Sequence, residues 1–158
     1  MKVLFAALCA LALVSPAAHA KKQAAKPAAP AAATAEKPLF ERLGGEPAIT
    51  AVVDDFVGRA ATNPKVNFLR DGKFAKIDVA NLKVRLVQFI SMATGGPSKY
   101  EGRDMKTAHA GMKIKSAEFD ALAGDLSASL DKFKVPAKEK GELMTIAAST
   151  KPAIVEVQ

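Results

Sequence analysis

Residues 94–109 read TGGPSKYEGRDMKTAH, and this stretch determines how the rest of the chain is interpreted. The glycine pair and the proline near its start end any helix that arrives from upstream. The residues that follow are polar and interrupted by glycine, so at most a short helix fits between about Asp104 and Ala110. His109 lies in that short helix, in a stretch that otherwise has little regular structure.

Amphipathic helices are predicted on both sides of this stretch. Apolar residues recur there at intervals of three and four, which is the spacing of one helix face. The spacing covers four segments, residues 47–62, 78–94, 116–133 and 136–154. Asp78 and Ser116 are the predicted N-caps, and Pro152 is expected to bend or end the last helix. No alternating strand pattern competes, so the sequence predicts an all-α domain.

Residues 1–20 have the layout of a secretory signal peptide, with a lysine first, an apolar run next and small residues before the expected cut. The apolar run, residues 3–14, is about a dozen residues long, whereas a spanning helix needs roughly 20. Residues 21–37 are rich in Ala, Pro and Lys and are interpreted as a flexible linker. These features predict a periplasmic or secreted domain over residues 38–157.

Composition and charge exclude several functions. The 23 Lys and Arg outnumber the 16 Asp and Glu, but they form no dense basic stripe with interleaved aromatics, so nucleic-acid binding is not expected. The single cysteine, Cys9, falls in the signal segment. Disulfides, zinc–thiolate sites, iron–sulfur clusters and covalent c-type haem are therefore excluded for the domain. The basic linker has two open interpretations, weak attraction to an anionic membrane surface and a solubilising tail.

Five pieces of the sequence, in order and at matching spacings, resemble group I truncated haemoglobins. They are LFERLGGE at 39–46, VDDF at 53–56, TGGP at 94–97, YEGRDM at 100–105 and KTAH at 106–109. The resemblance covers roughly residues 38–155. It implies a two-on-two helical sandwich in which helix pairs B/E and G/H enclose a non-covalent haem b, with the F region reduced mostly to a loop. It also implies binding of diatomic gases, namely oxygen, nitric oxide or carbon monoxide.

His109 matches the proximal histidine of this family, which implies that its imidazole ligates the haem iron. Neutral imidazole is the usual axial ligand of a globin iron. We expect the second ring nitrogen to donate to a nearby backbone carbonyl, because such a bond fixes the tautomer and the ring orientation. Residues 21–158 contain no second histidine, so coordination by two histidines of one domain is excluded.

The opposite, distal side of the haem is predicted to be apolar. Family members usually place a tyrosine at the position of Val57, and often a glutamine on the second helix. The positions expected here to face the haem ligand are Phe56, Val57, Phe68, Leu82, Leu86 and Ile90. Phe68 best suits the ring that stacks on the haem, with Leu69 and Phe74 as alternatives. Gln88, the nearest polar candidate, is placed off the pocket face.

This distal wall gives an oxygen ligand no hydrogen-bond donor. Such a bond contributes about 1.5–3 kcal/mol. Its absence predicts roughly ten- to hundredfold weaker oxygen retention. Nitric oxide and carbon monoxide need a donor less, so they should be affected less. Fast oxygen release and a tendency to rest as ferric haem are the expected consequences.

The haem propionates are expected to meet residues near the second helix and the histidine. Arg85, Tyr100, Arg103 and Lys106 are the candidates, since arginine pairs well with carboxylates. For Arg85, an ordinary solvated helix charge is an equal alternative. Met105 is expected to pack on the haem plane.

Three other functions compete with gas binding. A redox enzyme, either a nitric oxide dioxygenase or a weak peroxidase, ranks lower because peroxidase chemistry needs a distal acid–base group. Electron or haem transfer with an unidentified reductase or electron donor is another candidate. An exported helical interaction module without haem is the third, and the absence of a Soret band after haem addition would favour it.

Overall fold

The computed structural model describes residues 36–70, 72 and 78–157. Its helices are α1 (Leu39–Arg42), α2 (Gly45–Thr62), α3 (Val79–Ala93), α4 (Met105–His109), α5 (Ser116–Lys132), α6 (Ala137–Ser149) and α7 (Lys151–Ile154). The only extended pairing among the described residues is an isolated parallel bridge between Lys115 and Val157. The prediction of an all-α domain with four substantial helices is therefore confirmed. Phe74, residues 1–20 and most of the linker lie outside the described residues.

The four long helices form two pairs. Helix α2 packs against α3, α5 packs against α6, and the contact between α2 and α5 joins the pairs. These pairs correspond to the B/E and G/H pairs of the expected sandwich. The shared core comprises Ile49, Val52, Val53, Val57, Ile90, Leu126, Leu130 and Leu143. Burial of each such side chain stabilises the fold by about 1.5–3 kcal/mol.

Local sequence signals set the ends of α3. The Asp78 carboxylate accepts a hydrogen bond from the Asn81 N–H at 3.0 Å, which confirms Asp78 as the N-cap. Gly95 follows the helix with φ +82°, a conformation that favours glycine. A Cβ added to Gly96 would lie 2.4 Å from the Phe40 ring and 2.4 Å from Ser91 Oγ. Gly96 thus allows α1 to lie against the end of α3.

The predicted start of α5 needs a correction. The N-cap is Lys115, and Ser116 is the first residue of the helix. The Lys115 N–H donates to the Glu118 carboxylate at 2.9 Å, so a side chain from the first turn of α5 satisfies this group. At the other end of the chain, the predicted interruption near Pro152 is confirmed, because α6 ends at Ser149 and α7 begins after Thr150.

A buried polar contact fixes α2 against α5. The Asp55 carboxylate accepts hydrogen bonds from Arg59 Nε at 2.6 Å, from Ser129 Oγ at 2.8 Å, and from Lys132 Nζ. Ser129 is fully buried. Hydrogen bonds from Arg59, then Lys132 and Ser129, hold the pKa of Asp55 well below its usual range.

Among the described residues, no helix combines the length and the apolar character that crossing a bilayer requires.

Candidate functional site

The predicted ligand His109 is the last residue of α4, a helix of only five residues. The Asp104 carboxylate caps this helix and accepts from the Thr107 N–H at 2.9 Å. His109 Nδ1 lies 2.7 Å from the carbonyl oxygen of Met105. Because a carbonyl can only accept, Nδ1 is the donor in this bond, and in the neutral imidazole the free lone pair is then on Nε2. The expected bond from the second ring nitrogen to a backbone carbonyl is confirmed.

The chain between α3 and α4 is held by Tyr100. Its hydroxyl donates to the Arg103 carbonyl at 2.7 Å, and its ring meets Phe89 edge-on with centroids 5.6 Å apart. A Cβ at position 102 would lie 2.2 Å from the Tyr100 hydroxyl oxygen, so only Gly102 fits beneath this side chain. The single donor of the Tyr100 hydroxyl is therefore bonded to the backbone.

The cations predicted to hold propionates differ in their partners. Arg85 donates to Gln88 at 3.0 Å and pairs with Glu101 at 3.2 Å, which links α3 to the segment before α4. Arg103 and Lys106 are exposed. In the described part of the chain, no carboxylate pairs with either of them. These two positive charges remain available to an anionic group beside His109.

The side chains of the predicted distal wall fall into two groups. Val57 and Ile90 are buried in the core, and Ile90 also lines an apolar cavity of about 140 Å³. Phe56, Phe68 and Leu86 pack against the core but are only partly covered by protein.

Three further side chains belong to the predicted wall or lie beside it. Leu82 is also partly covered. Leu69, the alternative to Phe68, is 42% exposed. Gln88 lines an open groove with Lys83 and Val84.

The residues present fit a haem. The partly covered apolar side chains on α2, on α3 and at position 68 offer the flat hydrophobic contact that a porphyrin requires. His109 offers a nitrogen whose lone pair is free, and Met105 lies one helical turn before it. Arg103 and Lys106 offer charge for two carboxylates. A haem iron would need only one protein ligand on this side, and no cluster of three or more metal-ligating His, Cys, Asp or Glu occurs among the described residues.

One residue near this site, Glu156, was not predicted from the sequence. Glu156 lies beyond the last helix, and its carboxylate accepts from the backbone N–H groups of Gly111 and Lys113, just after the histidine. The partners are more than 40 positions apart in the chain. Nothing in the local sequence signals this contact, since a lone glutamate near a terminus has no preferred partner.

Comparison with known proteins agrees with this architecture. A family model described as bacterial-like globin matches residues 38–156. The group 1 truncated hemoglobin GlbN of Nostoc sp. (strain MUN 8820) is 32% identical over 117 residues, which span 74% of this chain and 96% of that protein. Group 1 truncated hemoglobin LI410 of Chlamydomonas moewusii is 30% identical over 142 residues, 83% of this chain and 81% of that protein.

Solved structures show the same similarity. Truncated hemoglobin from Tetrahymena pyriformis in the Fe(III) form superposes with a TM-score of 0.69 at 28% identity, over 75% of this chain and 98% of that one. The 2/2 hemoglobin from Synechococcus sp. PCC 7002, with covalently attached heme, gives 0.64 at 30% identity, over 72% and 93%.

The fold and the site together define a two-on-two globin, the class of truncated haemoglobins, whose members bind haem and diatomic gases. The chain belongs to the bacterial-like globin family.

Proposed function

We propose that this chain binds haem iron through Nε2 of His109 and accepts a diatomic gas on the opposite, apolar side. The observation that supports this most strongly is the bond from Nδ1 to the Met105 carbonyl at 2.7 Å. It fixes the ring orientation and, in the neutral ring, leaves Nε2 as the atom that can ligate a metal. When bound, the haem supplies an iron with one open position for oxygen, nitric oxide or carbon monoxide.

The chain's own residues would hold the cofactor from its rim and its faces. Arg103 and Lys106 are the best-placed cations for the propionates, because neither has a carboxylate partner in the described region. To bind a propionate, Arg85 would first have to break its ion pair with Glu101, 3.2 Å away. The Tyr100 hydroxyl already donates to the Arg103 carbonyl, so its proton is not available to a propionate. Met105 would pack against the porphyrin close to the histidine.

The distal side chains would exclude water and give the gas no hydrogen bond. The six predicted wall residues, two on α2, three on α3 and one at position 68, are all hydrocarbon. Gln88 is engaged with Arg85 and lines a groove with Lys83. This supports fast oxygen release, with less effect on nitric oxide and carbon monoxide. Oxygen and carbon monoxide bind only ferrous iron, so the proposal includes an electron donor or reductase in the same compartment.

The proposed compartment is the periplasm or the exterior of the cell. It rests on the signal-like residues 1–20 and on the Ala/Pro/Lys-rich residues 21–37. The basic linker would be attracted weakly to an anionic membrane surface, a contribution that salt screens.

Replacement of the histidine tests the proposal directly. Full-length His109→Ala should lose at least about tenfold in haem affinity, because the loss of even an outer-shell partner of a metal ligand typically costs about 10–100-fold. The ferrous carbon monoxide spectrum should change as well. His19→Ala is the matched control, because His19 is the other histidine of the chain and lies in the signal segment. Haem titration monitored at the Soret band measures both. A His109→Ala protein with unaltered haem uptake and spectrum would contradict the proposal.

A further inference from the structure

The turn that follows the histidine is closed by a carboxylate from the end of the chain. The Glu156 oxygens accept from the Gly111 N–H at 2.7 Å and from the Lys113 N–H at 2.5 Å. Both donors belong to residues with positive φ, +76° at Gly111 and +53° at Lys113. Nearby backbone N–H groups in such conformations form a concave anion site. Here the chain fills that site with its own carboxylate.

Backbone bonds fix the position from which Glu156 reaches this turn. The N–H groups of Glu156 and Val157 donate to the Ile114 carbonyl at 3.0 and 3.1 Å, and the Ser116 N–H donates to the Val157 carbonyl at 3.0 Å. Ile114 is buried. The tail is therefore held beside residues 114–116 by its main chain. The Glu156 side chain extends this attachment to the turn at 111–113.

Helix α4 needs such external support. It has five residues and none of them is buried, and an isolated helix of this length is unstable in water. Its first turn is capped by Asp104. At its other end, the His109 carbonyl accepts from the Met112 N–H at 3.1 Å, within the same turn that Glu156 closes. The bond from Nδ1 to the Met105 carbonyl orients the ring relative to α4. The turn closed by Glu156, together with the contact between α4 and α7, holds the end of α4 in the domain.

We propose that Glu156 is a positioning residue for His109, which holds the turn after α4 and thereby fixes the direction from which Nε2 meets the haem iron. This inference rests on the proposed ligation by His109. Two positive side chains, Lys113 and Arg70, face the Glu156 carboxylate. Together with the hydrogen bonds from Gly111 and Lys113, which come first, they lower the pKa of Glu156, so it is ionised at neutral pH.

The test compares Glu156→Ala and Glu156→Gln with Glu46→Ala in the full chain. Glu46 is an exposed glutamate whose carboxylate has no bonding partner among the described residues, so its loss controls for a removed surface charge. Three quantities are measured: the iron–histidine stretching band of the ferrous protein, the rate of haem dissociation, and hydrogen exchange of the Gly111 and Lys113 amides in the haem-free chain.

For Glu156→Ala we expect a shifted or broadened iron–histidine band and about tenfold faster haem loss, the lower end of what outer-sphere partners of metal ligands contribute. Both amides should exchange faster. Glu156→Gln keeps one carbonyl acceptor and should lie between Glu156→Ala and the wild type. Glu46→Ala should match the wild type in all three measurements.

The two hypotheses fail in different ways. If the amides of Glu156→Ala exchange faster but the band and the haem loss rate match those of Glu46→Ala, the carboxylate closes the turn without positioning the histidine, and the inference is overturned. Unchanged amide exchange overturns it as well. An iron–histidine band that survives in His109→Ala would instead overturn the ligation by His109, whatever the Glu156 variants show.

Discussion

The two helix pairs and the segment between α3 and α5 are stabilised in different ways. The pairs bury a continuous core, in which Val53 and Leu130 are at most 1% exposed. The intervening segment carries the histidine on a helix with no buried residue. It is held by its contact with α7 and by single polar contacts, from Asp104 at its start, from Tyr100 before it and from Glu156 after it.

This difference indicates which part of the domain would gain most stability from a bound haem. Apolar burial stabilises the pairs whether or not a cofactor is present, whereas a few exposed hydrogen bonds leave the histidine segment close to local opening. Segments that bind ligands commonly come from this less stable part of a protein. Haem binding would therefore stabilise α4 far more than it stabilises α2 or α5.

The largest effect is expected in the helix pairs. Leu130→Ala removes a side chain that is 1% exposed and that borders the apolar cavity of about 140 Å³. We expect a loss of about 2–5 kcal/mol in the free energy of unfolding. Urea denaturation of the haem-free chain measures it. Val84→Ala, at a position 54% exposed, is the control and should change stability by less than about 0.5 kcal/mol. Equal losses in the two variants would show that Leu130 is not a core residue.

The next effect concerns the distal wall, which belongs to the stable helix pairs. Leu82→Gln places a donor at a half-buried position outside the tightly packed core. Oxygen dissociation should slow by roughly ten- to a hundredfold, since a hydrogen bond of about 1.5–3 kcal/mol becomes available. Stopped-flow displacement of oxygen by carbon monoxide measures the rate. Val84→Gln adds the same side chain on an exposed surface of α3 and should leave the rate unaltered. A slow wild-type rate would contradict the apolar pocket.

The smallest effect compares two aspartate caps that accept the same backbone hydrogen bond. Asp78 and Asp104 each accept from the N–H three residues ahead, at 3.0 and 2.9 Å. Asp78→Ala should lower the free energy of unfolding by about 1 kcal/mol, because α3 unfolds with the core. Asp104→Ala should leave global unfolding nearly unchanged and accelerate amide exchange within α4. Urea denaturation and hydrogen exchange distinguish the two results, and a global loss in both variants would mean that α4 unfolds together with the core.

Much of the fold could be predicted from sequence because its signals are local. The four long helices follow from apolar spacing, and both ends of α3 follow from Asp78 and the glycine pair at 95–96. The bond from the imidazole to Met105 was also predictable, since a residue at a helix end lies near the carbonyl four positions earlier. The start of α5 was missed by one residue, because Glu118 rather than Ser116 satisfies the Lys115 N–H.

By itself, then, the sequence determined the helices, the identity of the one histidine in the domain and the hydrocarbon character of the wall expected to face it. Only the tertiary structure decided which charges near His109 remain unpaired, as at Lys106, and which are engaged, as between Arg85 and Glu101. It also decided that Glu156 closes the turn after the histidine. Periodicity and capping act over a few residues, whereas these pairings depend on how distant segments meet once the core has formed.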